Sequence, residues 1–384
     1  MENDVIIFAS NCYGEDRSAA IIAKELKKLT SDKDIAIYGA SLISGGEEYH
    51  KRNIETVFTS KLPPSGGFTT QNIFTFLADL FSCSFVNIFR YINALKKYKN
   101  NAKLVVVIGD TFLAFITRMA IKHTPLVFMS LPKSDYIEPH YKVEANFIMR
   151  HTSIMLTRDK YTKDNMVKRG VEAIYLGNPI MDELETKGLK LPLDKDRLNI
   201  GILPGSRDEA YANFKMILDV IDILADKRHF NYITGLPDNM DIKKIKRCAK
   251  GWELAAEEGI DILAKRNAKV YLTKGSFTDV LSMSDIIISL AGTASEQAAG
   301  MGKPIIAFAG KGPQTTKKRF TEQEKLLGGA VKFVRDYPDG VVDEVLYLSN
   351  LKEIREMRGE KGKARMGEPG ASKKIAEYIN KQYL

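Results

Sequence analysis

The stretch from Ser284 to Pro304, SDIIISLAGTASEQAAGMGKP, constrains the fold more than any other. It opens with Ile286-Ile287-Ile288, a β-branched run too short for a helix, which predicts a buried parallel strand. Ala291-Gly292-Thr293 then turns the chain. Ala294 to Met301 consists of good helix formers, Gly302-Lys303-Pro304 stops the helix, and Ile305 to Phe308 begins another strand. Strand, glycine turn, helix and strand make a βαβ unit. A helix N-terminus carries unpaired N–H groups and a partial positive charge, so this one suits an anion such as a phosphate. Glu296, on the first turn, either complements the helix dipole or accepts hydrogen bonds from a ligand's hydroxyls, and the pattern leaves both open.

The same alternation runs through the rest of the chain. Val5 to Ala9 reads as a strand, Ser10 to Asp16 as a loop, and Ser18 to Leu29 as a helix. In open α/β sheets, the loops after strand ends hold ligands. Asp16 can serve as an N-cap, which leaves Glu15 without a local structural task and marks it as a candidate. Leu104 to Ile108 is a buried strand ending in Gly109-Asp110-Thr111, so Asp110 is either the N-cap of the next helix, from Phe112 to Lys122, or a general base. His140, in the loop after the strand Pro125 to Met129, reads as a surface histidine because nothing nearby in sequence orients it. The pattern restarts at Asn199 to Leu203. There Pro204-Gly205-Ser206-Arg207 is a second phosphate-type loop: glycine admits backbone N–H groups, serine donates, and arginine adds charge. Neither GxGxxG nor GxxxxGK[ST] is present. Gln314, in the polar loop Gly310 to Gln314, either bonds a sugar hydroxyl or faces water.

At 384 residues the chain is long for one domain. The pattern divides it into a domain over 1–183, a polar linker over 184–196, a second domain over 197–351, and a helical tail over 352–384 expected to pack back towards the first domain. The formal charge of +9 suits anionic partners without choosing among them, and the dispersed lysines and arginines argue against a nucleic-acid module. The three cysteines and five histidines show no metal-ligand spacing, so neither a metal site nor a cofactor is expected. No apolar run reaches the ~18 residues of a spanning helix, and the start MENDVIIFASN reads as a strand rather than a signal peptide. A cytoplasmic protein, peripheral at most on the membrane's inner face, is expected. Between Phe68 and Tyr98, Phe74, Phe81, Phe85 and Phe89 fall at helical spacing ahead of Lys96, Lys97 and Lys99. That pattern fits a core-facing helix pair, or a face in which Phe74, Phe81 and Phe85 contact a membrane or a lipid acceptor.

In order and spacing, Gly177-Asn178-Pro179-Ile180-Met181-Asp182, Leu203-Pro204-Gly205-Ser206-Arg207, Gly292-Thr293-Ala294-Ser295-Glu296 and Gly302-Lys303-Pro304 resemble lipid-A-disaccharide synthase. The Gly310 to Gln314 loop and the ending from Arg365 to Ser372 resemble its related subfamily. The resemblance implies a GT-B fold, two Rossmann-like doubly wound parallel-sheet domains facing across a cleft. It implies an inverting, metal-independent hexosyltransferase that moves a sugar, GlcNAc or an acylated derivative, from a UDP-sugar to a lipid-linked or hydrophobic acceptor. Carried over, Glu296 holds the ribose hydroxyls, Gly205, Ser206, Arg207, Gly292 and Thr293 surround the diphosphate, and Gln314 meets the sugar. Asp110 and Glu15 are the candidate bases, with Asp110 placed first by its position at the strand end. The chain departs from the family in a contracted first loop, Gly14-Glu15-Asp16, and in Ser130-Leu131-Pro132-Lys133 where the family has Trp-Ala-Trp-Arg. Both departures fall in the acceptor half. The rival readings are a UDP-GlcNAc 2-epimerase-type enzyme and a non-catalytic sugar-nucleotide-binding protein.

Overall fold

The computed structural model describes residues 4–60, 84–313 and 315–384. The chain divides into two compact units, Met1–Asp182 with Glu368–Leu384, and Glu183–Gly367. Phe74, Phe81 and Gln314 lie outside the described residues, and Phe85 falls within a helix.

The first unit is built on β1 (Asp4–Ser10), β2 (Ile35–Ser41), β3 (Glu55–Phe58), β4 (Ala102–Ile108), β5 (Leu126–Ser130), β6 (Ile154–Thr157) and β7 (Ala173–Ile174). Among the described residues they form one parallel sheet in the order β3-β2-β1-β4-β5-β6-β7. Its helices are α1 (Tyr13–Leu29), α2 (Glu47–His50), α3 (Ser84–Lys96), α4 (Thr111–Ala120), α5 (Lys142–His151) and α6 (Lys160–Lys168). Side chains alternate across a strand, so β1 supplies two cores. Val5, Ile7 and Ala9 pack with Tyr91, Leu95, Leu113, Ile116 and Ile148 of α3, α4 and α5. Ile6 and Phe8 pack with Ala19, Ile22 and Leu26 of α1 and with Ile375 and Ile379 near the chain end. Both faces of the sheet are covered, which is why its strands read as continuous apolar runs.

The second unit contains β8 (Asn199–Leu203), α7 (Ala210–Lys227), β9 (Asn231–Leu236), α8 (Ile242–Cys248), the strands β10 (Glu253–Glu257), β11 (Ile260–Lys265) and β12 (Ala268–Lys274), then α9 (Phe277–Met283) and β13 (Ile286–Ser289). After these come α10 (Thr293–Gly300), β14 (Ile305–Phe308), α11 (Lys317–Leu326), β15 (Val331–Val334), α12 (Asp339–Asn350) and α13 (Lys352–Met366). The sheet order is β10-β11-β12-β9-β8-β13-β14-β15, with β10 and β11 antiparallel additions at one edge. That hairpin turns on Glu258 and Gly259, both at positive φ, and the sequence pattern gave no sign of it because glutamate rarely accepts that conformation. Helix α13 packs directly on α10. A Cβ at Gly359 would collide with the Gly302 carbonyl, and one at Gly362 with the Ala299 carbonyl, so glycine permits the two backbones to touch.

Each unit ties down its end of the chain crossing with one carboxylate. Asp182 accepts from the N–H groups of Gly370 (2.5 Å), Ala371 (3.2 Å) and Ser372 (2.6 Å), the start of α14 (Ala371–Tyr383) in the first unit. Asp279 of α9 accepts from Lys187 (3.0 Å), Gly188 (2.8 Å) and Leu189 (3.0 Å) in the second. The polar stretch after residue 183 is therefore anchored by its backbone donors. The tail is not one body: α13 packs within the second unit, and α14 lies against α1 of the first.

Candidate functional site

Both sheets contain a point where the strand order reverses, and open α/β sheets bind ligands at the carboxyl ends of the strands there. In the first unit it lies between β1 and β4. The loops leaving these strands carry Glu15 and Asp110. Helix α1 starts earlier than the residue pattern suggests, with Cys12 as its N-cap, so Glu15 and Asp16 sit in its first turn rather than in a loop. Glu15 is half-buried, and the Cys12 thiol donates to its Oε2 at 2.9 Å. Desolvation pushes the Glu15 carboxyl up to about 7; the Cys12 hydrogen bond opposes the shift, and the charges of Asp110 and Asp16 add to it. Asp110 is exposed and caps α4, accepting from the Leu113 N–H at 2.8 Å. Its capping role is thus realised, and its remaining oxygen stays at the ligand edge beside Glu15.

Asp16 is no N-cap. It is fully buried, accepts from Ser10 Oγ (2.6 Å), Ser41 Oγ (2.9 Å) and Ser44 Oγ, and thereby ties β1, the end of β2 and the following loop together. Desolvation raises its pKa, and the three serine hydroxyls offset part of that. Tyr49 completes the cluster, with its hydroxyl 2.5 Å from Ser10 Oγ. This scaffold fixes the turn on which Glu15 stands.

The surface reading of His140 is wrong. His140 is 2% exposed, its Nδ1 lies 2.6 Å from Asp135 Oδ1, and its Nε2 lies 3.2 Å from Ser130 Oγ. Asp135 is five residues away in sequence and is itself held by Asn165 Nδ2 at 3.0 Å. Desolvation raises the Asp135 carboxyl, yet the bonds from His140 and Asn165 outweigh it and leave the pKa lowered. All three members of this Ser130, His140 and Asp135 chain are buried, so it braces the loop after β5 and offers no group to a ligand.

In the second unit the reversal lies between β8 and β13. The loop Pro204 to Arg207 leaves β8, and Leu290 to Gly292 leaves β13, so Gly205, Ser206, Arg207, Gly292, Thr293 and Glu296 share one edge. The Leu290 N–H bonds the Leu203 carbonyl at 2.8 Å, which holds the two loops side by side. Gly205 has φ +100°, and a Cβ there would press on the Leu290 carbonyl at 3.2 Å, so both backbone angle and space call for glycine. Ser206, Arg207, Gly292 and Thr293 are exposed, and Glu296 is half-buried on the first turn of α10. That is an anion-receptive arrangement: a helix N-terminus, an exposed serine and threonine, and a guanidinium.

Two supports escaped the sequence reading. Gln323 of α11 donates to the carbonyls of Ala291 (3.3 Å) and Gly292 (3.1 Å). Asn213 of α7 brackets the loop that starts at Gly310, accepting from Lys311 N at 2.6 Å and donating to Lys311 O at 3.3 Å. Both are ordinary polar residues inside helices, and Cys12 is a single cysteine outside any motif, so no local pattern distinguishes them.

No protein-family model matches the sequence, and no curated protein matches it. The fold does have solved likenesses. UDP-GlcNAc 2-epimerase from Neisseria meningitidis, solved bound to UDP-GlcNAc, is 19% identical with a TM-score of 0.62, over 98% of this chain and 100% of that one. MurG from Acinetobacter baumannii is 13% identical with a TM-score of 0.62, over 99% and 100%. The calicheamicin glycosyltransferase is 12% identical with a TM-score of 0.65, over 99% and 98%. These likenesses span the whole chain, and the fold is that of the GT-B enzymes, with two Rossmann-like domains.

Proposed function

We propose that the protein is a UDP-sugar-dependent inverting glycosyltransferase, similar to lipid-A-disaccharide synthase, that transfers GlcNAc or an acylated derivative to a lipid-linked or hydrophobic acceptor. The observation that carries the reading is the paired edge of β8 and β13, where Gly205, Ser206, Arg207, Gly292 and Thr293 suit a diphosphate and Glu296 suits ribose hydroxyls. Its support is the GT-B fold, shared with an epimerase solved bound to UDP-GlcNAc and with the calicheamicin glycosyltransferase.

In this reading Glu15 takes the proton of the acceptor hydroxyl. The oxygen attacks the anomeric carbon in line, and the bond to the diphosphate breaks with its electron pair leaving on UDP. Arg207 and the N-terminus of α10 stabilise the charge on the leaving group. A base near neutrality suits such a step, because a substantial fraction of it is ionised near neutral pH and it still binds a proton well. Asp110 raises the basicity of Glu15 through its charge, so Glu15 is the better base of the two and Asp110 a positioning neighbour.

The test is calorimetric and thermal-shift titration with UDP, UDP-GlcNAc, GDP and TDP. UDP at a hundred times its dissociation constant should add about 2.7 kcal/mol to stability. Glu296→Ala should abolish that gain. If no nucleotide stabilises the wild type, the reading fails at its strongest point.

The epimerase likeness sustains a second reading, a sugar-nucleotide enzyme that needs no acceptor. Against it, His140 is enclosed by Asp135 and Ser130. Incubation with UDP-GlcNAc alone separates the two: formation of UDP-ManNAc or free ManNAc supports the epimerase, and the absence of both alongside UDP binding supports the transferase.

A further inference from the structure

Helix α4, TFLAFITRMA, is apolar on both sides. Leu113, Ile116 and Ala120 face the core. Phe112, Phe115 and Met119, spaced i, i+3 and i+7, form a second stripe on the outer side. An ordinary surface helix pairs its buried stripe with a polar one, as α1 does with Lys24, Glu25, Lys27 and Lys28. The outer stripe of α4 is broadened by its neighbours. Phe147 of α5 meets Phe115 edge-on at 5.9 Å, with Val143 beyond, and Phe89 stands on α3. Phe112, Phe115, Met119, Val143 and Phe89 are between 47% and 79% exposed, too much large apolar surface in one place to be incidental.

We propose that the outer face of α3, α4 and α5 docks on an anionic phospholipid bilayer. Charge selects this occupant. The described parts of the three helices carry one acid, Glu144, and that is paired with Lys133 at 2.6 Å. Lys96, Lys142 and Arg150 are exposed on α3 and α5, the helices that flank α4. Exposed aromatic side chains on helices whose charges are predominantly cationic fit an anionic interface, where the rings enter the headgroup layer and the cations meet phosphates. A second copy would bring cations against cations. The stripe begins at Phe112, two residues after Asp110, so a bilayer seated on it would present a lipid headgroup to the edge that carries Glu15 and Asp110. The surface rests on the lipid-acceptor reading for its purpose, but not for its test.

The test uses the full chain and flotation with vesicles of phosphatidylcholine, with and without 30% phosphatidylglycerol. The wild type is expected to float with the anionic vesicles, to remain behind with the neutral ones, and to be released by 1 M salt. Phe112→Ser/Phe115→Ser/Met119→Ser should lower partitioning at least tenfold. Lys142→Glu/Arg150→Glu, two exposed positions whose change leaves the core untouched, should lower it severalfold and make what binding remains less sensitive to salt. Equal flotation of the wild type on both vesicles, no flotation at all, or wild-type flotation by both variants would overturn the proposal. So would a wild-type dimer in sedimentation that the triple variant dissociates, since the face would then be a self-interface. UDP-induced stabilisation is read on all three proteins. Its absence throughout with vesicle binding intact would sink the transferase reading and leave the membrane surface standing.

Discussion

The two units end their central strands in opposite chemistry. At the edge of β1 and β4 the first unit gathers carboxylates: desolvation pushes Glu15 up to about 7, Asp16 is buried under three serine hydroxyls, and Asp110 is exposed. At the edge of β8 and β13 the second unit exposes glycines, hydroxyls and Arg207 around a helix N-terminus. One architecture thus carries two different edges: one acidic, with a carboxyl raised towards neutrality, and one with exposed hydroxyls and a guanidinium around a helix N-terminus. The difference lies in the residues of two loops, since both loops leave equivalent strand ends.

The sharpest way to break the comparison is to disturb each edge in turn. Glu15→Gln keeps the shape and the Cys12 neighbour, and it should lower turnover by about 10²- to 10⁴-fold. UDP binding, measured by calorimetry, should be unchanged. Gly362→Leu acts on the other edge, because a side chain there must push α13 away from Ala299 on α10. It is expected to weaken UDP binding by an order of magnitude or more and to leave the titration of Glu15 where it was. If Glu15→Gln abolishes nucleotide binding instead, the division of labour is wrong.

Stability should report the same contrast through the sign of its pH dependence. Glu15 has a raised pKa, so the folded state holds its proton more tightly than the unfolded chain does. Stability is then fully present below the ordinary value of 4.5 and is lost as pH rises towards 7. Glu15→Gln should therefore match the wild type near pH 4 and exceed it at pH 8, by at most about 3 kcal/mol. Asp279 behaves oppositely. Burial raises it, yet the N–H groups of Lys187, Leu189 and Gly188 outweigh that and leave its pKa lowered. Its contribution is present above the ordinary value of 3.8 and is lost as pH falls through the folded value. Asp279→Ala should cost about 2 kcal/mol at pH 7, by removing the charge-assisted hydrogen bonds from the Lys187, Gly188 and Leu189 N–H groups, and less at pH 3. Urea melts of the two variants across pH check both signs.

How much of this was legible in the sequence follows from what each feature depends on. The parallel strands were legible because both faces of each sheet are covered, and runs such as Ile286 to Ser289 need no partner to be read. The loops Pro204 to Arg207 and Gly292 to Glu296 were legible as strand-end turns because glycine before a helix is a local signal. What escaped depends on distant partners. Asp16 looked like an N-cap, since Ser41 and Ser44 lie 25 and 28 residues on. His140 looked unoriented, although Asp135 and Ser130 enclose it once the loop after β5 folds back. The outer stripe of α4 was hidden for another reason: an apolar segment reads as core, and only the folded face shows that half of it meets solvent.

The smallest effect tests the finest part of the comparison, the thiol that meets Glu15. Cys12 is the N-cap of α1 but makes no capping hydrogen bond to the helix; its Sγ donates to Glu15 Oε2 at 2.9 Å instead. Burial and the neighbouring carboxylate push the thiol pKa far up, so it stays a donor throughout the working range. A donor to the ionised carboxylate favours ionisation and opposes the desolvation that raises Glu15. Cys12→Ala removes that donor, and the pH at which turnover reaches half its maximum should rise by about half to one unit, the equivalent of a net hydrogen bond of about 1 kcal/mol. Cys12→Ser restores a donor and should return the midpoint close to that of the wild type. A lost maximal rate with an unmoved midpoint in both variants would make Cys12 a packing residue of α1, and the near-neutral Glu15 would then owe its value to burial and its acidic neighbours alone.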